Sequence, residues 1–234
     1  LPISFGIGWN LSLPSITRKT DKGLPRYQDI EESDVFILSG AEDLVPCLKE
    51  IAAGNWQPEV FPPRTVDAKT YDIHRYRPRI EGLFARIERW TNRADPADTF
   101  WRSISKDNIT TWYGKTDESR ISDPDDSVHI FSWLICESYD DKGNAIVYEY
   151  APEDSAKLDV SQTNEANRTP KSRSTNRYLK RINYGNKTSR LIQPDLTQME
   201  WLFEVVFDYD EHHYEELDLD PLRPEAEQHR LVRA

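Results

Sequence analysis

The chain has 234 residues, 37% hydrophobic, 11% aromatic and 30% charged, which is enough to bury a core and fits one large domain or a piece of one. Thirty Lys and Arg against 41 Asp and Glu give a net charge of −11, which argues against global attraction to nucleic acid or to an anionic membrane. Seven Trp, eleven Tyr and eight Phe, spread along the chain, exclude disorder of the whole and suit pleated sheets better than helix bundles.

Residues 1–18 read as a strand punctuated by Gly6 and Gly8. Leu11, Leu13 and Ile16 alternate loosely around Pro14, whose missing N–H places an edge or a bend there. A turn at Asp21-Lys22-Gly23 follows. Val35 to Leu38 is a short apolar strand ending at Ser39-Gly40, and Asp43 to Leu48 returns from it. Residues 62–80 are rich in Arg, Tyr and Pro and yield no assignable element. Ile80 to Trp90 fits two periods: Ile80, Leu83, Phe84 and Ile87 at helical spacing, or Leu83, Ala85 and Ile87 alternating as a strand.

Two hairpins are clearer. Phe100 to Ser105 and Ile109 to Tyr113 flank a Lys106-Asp107-Asn108 turn, and Ile130 to Tyr139 and Ala145 to Tyr150 flank Asp140 to Asn144. Residues 151–176 are polar and read as a flexible loop. Strands resume at Tyr178 to Tyr184 and Trp201 to Tyr209, and 210–234 read as a polar tail. The expected class is all-β, with extended antiparallel sheets and hairpins in a single region spanning 1–234. Both ends read as cut from something longer.

Motifs for chemistry are sparse. Gly-rich phosphate loops and HExxH are absent. His212-His213 lies among seven acids (Asp208, Asp210, Glu211, Glu215, Glu216, Asp218, Asp220), where a divalent-cation site competes with a solvated acidic turn, and the turn is preferred. His74 and His129 have no neighbouring nucleophile. Cys47 and Cys136 could form one disulfide, but the favoured reading is two free buried thiols. Asn108-Ile109-Thr110 and Asn186-Lys187-Thr188 match a glycosylation pattern too short to weigh. The segment 168–190 carries Arg168, Lys171, Arg173, Arg177, Lys180, Arg181, Lys187 and Arg190 and no acid. A basic loop docked on an acidic surface of the same assembly is preferred there over a nucleic-acid patch. No catalytic, cofactor-binding or metal-ligating residue is therefore assigned. No apolar run reaches membrane-spanning length, so no direct membrane insertion is expected.

Longer blocks say more. FGIGWNLSLPSITRKTDKGLPRY (5–27), DVFILSGAEDLVP (34–46), YRPRIEGLFARIERW (76–90), FWRSISKDNITTWYG (100–114), IFSWLICESYDDKGNAIVYEY (130–150), NRYLKRINYGN (176–186) and WLFEVVFDY (201–209) run in order. Together they resemble the N-terminal region of the SpvB/TcaC family, shared by plasmid virulence protein B and the B component of Tc (toxin complex) insecticidal toxins. The resemblance implies a secreted, non-catalytic segment of a larger chain, without cofactors. It implies a place in the RHS/YD-type β-sheet shell that the B component forms with the C component around the toxic part of C. The A component would be met through other domains, and 83–90 tips towards strand. A family ADP-ribosyltransferase lies in a separate C-terminal domain. Here Ser174-Thr175-Asn176 breaks its Ser-Thr-Ser element, and Glu225-Ala226-Glu227 sits in a Pro-flanked tail. Two alternatives stand beside this reading. One is a carbohydrate or host-surface binding module stacking ligand on exposed Trp56, Trp101 or Trp112. The other is an accessory domain of an ADP-ribosyltransferase toxin.

Overall fold

A computed structural model describes residues 3–4, 10–21, 23–39, 42–82, 84–154, 159–209 and 232–233. The strands are β1 (Ile3–Ser4), β2 (Asn10–Leu11), β3 (Ser15–Arg18), β4 (Phe36–Leu38), β5 (Glu42–Pro46), β6 (Leu48–Ala52), β7 (Asn55–Pro58), β8 (Val60–Val66) and β9 (Lys69–Pro78). They continue as β10 (Arg86–Asn92), β11 (Thr99–Ile104), β12 (Thr110–Tyr113), β13 (Arg120–Ser122), β14 (Ile130–Tyr139), β15 (Ala145–Pro152), β16 (Arg177–Asn186), β17 (Trp201–Asp208) and β18 (Val232–Arg233). The one α-helix of the described residues is α1 (Pro170–Arg173), a single turn that starts from a Thr169 cap.

Hydrogen bonding runs β3-β4-β5-β9-β10-β11-β12 and returns through β14 to β3, closing a barrel of antiparallel strands. Closure removes the open edges that a twisted sheet would otherwise expose. One apolar cluster draws a residue from every strand of that ring: Ile16, Phe36, Leu44, Tyr76, Ile87, Trp101, Tyr113 and Trp133 among them. This side is the barrel interior. Phe36 sits edge-on to Trp101 and Trp133, with ring centroids 4.9 and 5.7 Å away. Such contacts add to what area burial alone supplies. The opposite parity on β9 to β12 builds a second cluster outside the barrel, from Tyr71, Ile73, Trp90, Phe100 and half-buried Trp112, against which Phe61 of β8 packs.

Two strands open the ring without breaking it. Along one edge of β9, residues 76–78 pair with β5 and residues 69–74 with β8, and the β6–β7 hairpin projects from the gap between them. Along one edge of β14, residues 132–134 pair with β3 and 137–139 with β15. From there β15, β16 and β17 leave the barrel as an antiparallel overhang.

The expected all-β class is the observed one. Both clear hairpins form, as β11–β12 and β14–β15, and Ile80 to Trp90 resolves to a strand over Arg86–Asn92. The 62–80 stretch, unassigned from sequence, contains the ten-residue strand β9. Within 151–176 the described residues carry the end of β15, a 3₁₀ turn at Thr163–Glu165 and α1; 155–158 lie outside the described residues.

Candidate interaction surface

The barrel interior holds charge as well as rings. Arg18 on β3 is buried, its guanidinium gripping Asp29 in two contacts of 2.6 and 2.8 Å and Asp34 at 2.7 Å, while Nε donates to the Ile130 carbonyl. Arg89 on β10 reaches Glu32 Oε1 at 3.1 Å, and the Tyr76 hydroxyl donates to the same carboxylate. All three acids come from the loop between β3 and β4, which packs into the barrel and meets its two buried cations. In that loop Tyr27 and Glu32 have left-handed φ values of 58° and 50°, a cost that these contacts offset. Outside the barrel, Glu88 is buried and accepts from Arg86, Arg102 and the Trp90 indole. Each of these carboxylates is consumed by partners of its own chain. They read as ties between elements, with no free group aimed at a substrate.

Nor do the residues singled out in the sequence converge. His74 lies towards the barrel interior near Glu32, and His129 stacks on Tyr27. Cys47 and Cys136 are free thiols, Cys47 half-buried and Cys136 buried, and burial pushes both up. His212, His213 and the Glu225-Ala226-Glu227 triplet lie outside the described residues. Among the described residues no group of three or more His, Cys, Asp and Glu is placed to hold a metal ion. No helix there is long and apolar enough to cross a membrane. Of the three tryptophans, Trp101 is fully buried in the barrel and Trp112 belongs to the outer cluster; Trp56 is 56% exposed. The basic segment is largely spent internally. Arg168 pairs with Glu153, Lys171 with Asp125, Arg173 with Glu165, Arg181 with Glu204, Lys187 with Glu200, and Arg190 with Glu137.

The overhang is different. Register places Ile146, Tyr184 and Phe203 in one row across β15, β16 and β17, and Tyr148, Ile182 and Val205 in the next. This face continues the barrel interior, since Tyr148 packs on the interior cluster. Further out it is uncovered: Phe203 is 55% exposed and Tyr184, stacked on it at 5.2 Å, is 39% exposed. The other face carries Glu149 opposite Arg181 and Glu204 opposite Asn183; Arg181 ion-pairs with both glutamates, and Asn183 donates to Glu149. Strand alternation thus gives the overhang one aromatic-rich face and one mixed face, where the charges lie beside exposed Leu202. Along β17, Phe207 and Asp208 pair with β18, but among the described residues the outer edge of Trp201–Val206 has no strand partner. Sequence reasoning found these strands but not the face, because only cross-strand register shows which aromatics fall in one row.

A closed barrel that runs on into an antiparallel overhang, with exposed aromatics on the face continuous with its interior, defines an all-β structural module. The chain belongs to the SpvB family: the family model described as Salmonella virulence plasmid 65kDa B protein matches residues 3–232. A mono(ADP-ribosyl)transferase SpvB of Salmonella typhimurium is 35% identical over 232 residues, covering 95% of this chain. The chain spans 36% of the length of that relative. The N-terminal domain of effector protein SpvB from Salmonella typhimurium strain LT2 superposes with a TM-score of 0.74 at 34% identity, over 97% of this chain and 68% of that one. The crystal structure of TcdB2-TccC3 gives 0.69 at 28% identity, over 86% of this chain and 9% of the other. A Photorhabdus luminescens Tc holotoxin pore gives 0.67 at 30%, over 88% and 9%.

Proposed function

We propose that this chain is a non-catalytic wall segment of a secreted bacterial toxin assembly of the Tc type. Its sheet joins the rest of its parent chain and a C-type partner in the hollow β-shell that encloses the toxic part of the C component. The observation that carries this reading is the overhang, whose face continuous with the barrel interior is rich in aromatic side chains and exposed at its outer end. Exposed Tyr184 and Phe203, beside a strand edge with no partner among the described residues, are an aggregation hazard unless further chain covers them. The similarity to chains of TcdB2-TccC3, which are far longer than this one, supports the same reading. On it, any ADP-ribosyltransferase activity of a parent protein resides outside these residues, and the segment itself has no turnover. Trp101 and Trp112, taken up by their own clusters, count against a carbohydrate-binding module, whereas exposed Trp56 is the one of the three that fits it.

The test is co-purification of the segment with the remainder of its parent chain and a C-type partner, followed by electron microscopy. The expected result is a closed hollow particle with the segment in its wall. A monomer that ignores both partners would overturn the reading.

A further inference from the structure

A second surface lies apart from the overhang and does not depend on the shell reading. Among the described residues the β6–β7 hairpin pairs only with itself, and all of its residues are exposed. A two-stranded hairpin is marginal alone, yet this one is anchored at its stem. The Cys47 amide donates to the Arg75 carbonyl at 2.9 Å, the Glu59 amide to the Cys47 carbonyl at 2.6 Å, and the Arg75 amide to the Glu59 carbonyl at 3.3 Å. The arm is therefore held at a fixed place on β9 while its tip reaches away from the barrel. Between arm and barrel is a groove of about 690 Å³, lined by Leu48 and Trp56 of the arm, by Arg75 and Arg77 of β9, and by residues 45–47.

The lining has a definite chemistry. Trp56 and Leu48 supply apolar surface, each more than half exposed. Arg75 and Arg77 stand two residues apart on one strand, so both side chains leave the same face about 7 Å apart. Arg75 is held only loosely, 3.7 Å from Glu59, and Arg77 makes no ion pair with the described residues. A chain of net charge −11 thus presents here two weakly engaged guanidinium groups beside an exposed indole. A ligand that satisfies this spacing is itself a strand, with carboxylates on alternate residues to meet the two arginines and apolar side chains to meet Trp56 and Leu48.

We propose that this groove is a docking site for an acidic, extended segment of a separate polypeptide. Trp56 is its apolar anchor, and Arg75 and Arg77 are its carboxylate contacts. A usable probe is the labelled peptide Glu-Glu-Leu-Asp-Leu-Asp, the sequence of residues 215–220 of this chain, with its Lys-for-acid counterpart as control. Fluorescence anisotropy against the whole chain is expected to give saturable binding of the acidic peptide only, weakening as salt rises. Arg77→Glu and Trp56→Ala, both at exposed positions, are each expected to weaken it at least tenfold without shifting thermal unfolding. A chain with Glu215, Glu216, Asp218 and Asp220 changed to amides is expected to bind the probe with unchanged affinity. Equal binding of the basic peptide, absence of binding, or indifference to both groove variants would overturn the proposal. Binding that appears only in the amide variant would overturn it too, because the occupant would then be the chain's own acidic stretch.

Discussion

Arg89 and Glu32 meet inside the barrel at 3.1 Å, the arginine from β10 and the glutamate from the loop that packs into the ring. The guanidinium lies over the rings of Phe36 and Tyr76, 5.4 and 5.3 Å from their centroids, and is almost fully buried. A cation in that place needs its counter-charge, because desolvation outweighs what the rings return. Glu32→Ala is therefore expected to destabilise the chain by about 3 kcal/mol, read as a lower midpoint in chemical denaturation. The pair of changes Glu32→Leu with Arg89→Met is expected to cost less than the single one, since neither charge is then stranded.

The loop's charges also set the acid side of the stability curve. Burial pushes the His74 imidazole below its usual range and Arg89 adds to this, with Glu32 and Asp72 pulling the other way. A base so depressed takes up protons more readily when unfolded. Stability is thus whole above about pH 6.5 and falls as the pH drops below that value. Asp34 follows at lower pH. Burial works against its charge, but the backbone amides of Arg26 and Tyr27 and the Arg18 guanidinium overcome it and hold the carboxyl low. Its contribution is present above about pH 3.9 and lost on further acidification. Thermal unfolding followed from pH 8 to pH 4 should show the first decline, and His74→Gln should flatten it.

Gly114 offers a test of close approach in the barrel wall. Its φ is +65°, and a Cβ there would come 2.3 Å from Cδ1 of Trp133. Gly54, at the tip of the projecting hairpin, has a φ of +76° but nothing within 4 Å of the same position. Both Gly→Ala changes carry backbone strain of about 1 kcal/mol. Gly114→Ala is expected to cost distinctly more, because the indole must also move, and Gly54→Ala no more than the strain. Unfolding midpoints of the two variants decide it.

On the overhang, Phe203→Glu and Tyr184→Glu put charge on the uncovered apolar face. Both side chains are substantially exposed, so the isolated chain should keep its melting temperature and become more soluble. Assembly with the parent chain and C-type partner should be lost, which pull-down from a co-expression would register.

Much of the fold is legible in the sequence. Alternating aromatic and β-branched residues around Asp107-Asn108 and around Asp140-Asp141-Lys142-Gly143 give the two hairpins, and YLKRINY and WLFEVVFDY give β16 and β17. What escaped did so for physical reasons. Strand β9 hides in KTYDIHRYRP because its polar positions are filled by Asp, His and Arg, and because two of these, His74 and Arg75, serve as interior and stem residues. Closure of the ring depends on β14 bonding β12 on one edge and β3 on the other, a long-range pairing no local pattern encodes. The same holds for the burial of Arg18 and Arg89, which depends on loop acids 11 to 57 residues away in sequence. The basic run from Arg168 to Arg190 was legible as charge; its partners, from Asp125 to Glu204, were not.

The central claim is that the apolar face and open edge of the overhang are covered by further sheet in the assembled protein. Hydrogen exchange over Trp201–Val206 measures this most directly, comparing the isolated chain with the same residues in the full parent chain bound to its C-type partner. The account predicts that the amides which β16 leaves unpaired exchange rapidly in isolation and become protected by at least a hundredfold in the assembly. Rapid exchange of those amides in both states, from a complex shown to be intact, would contradict it.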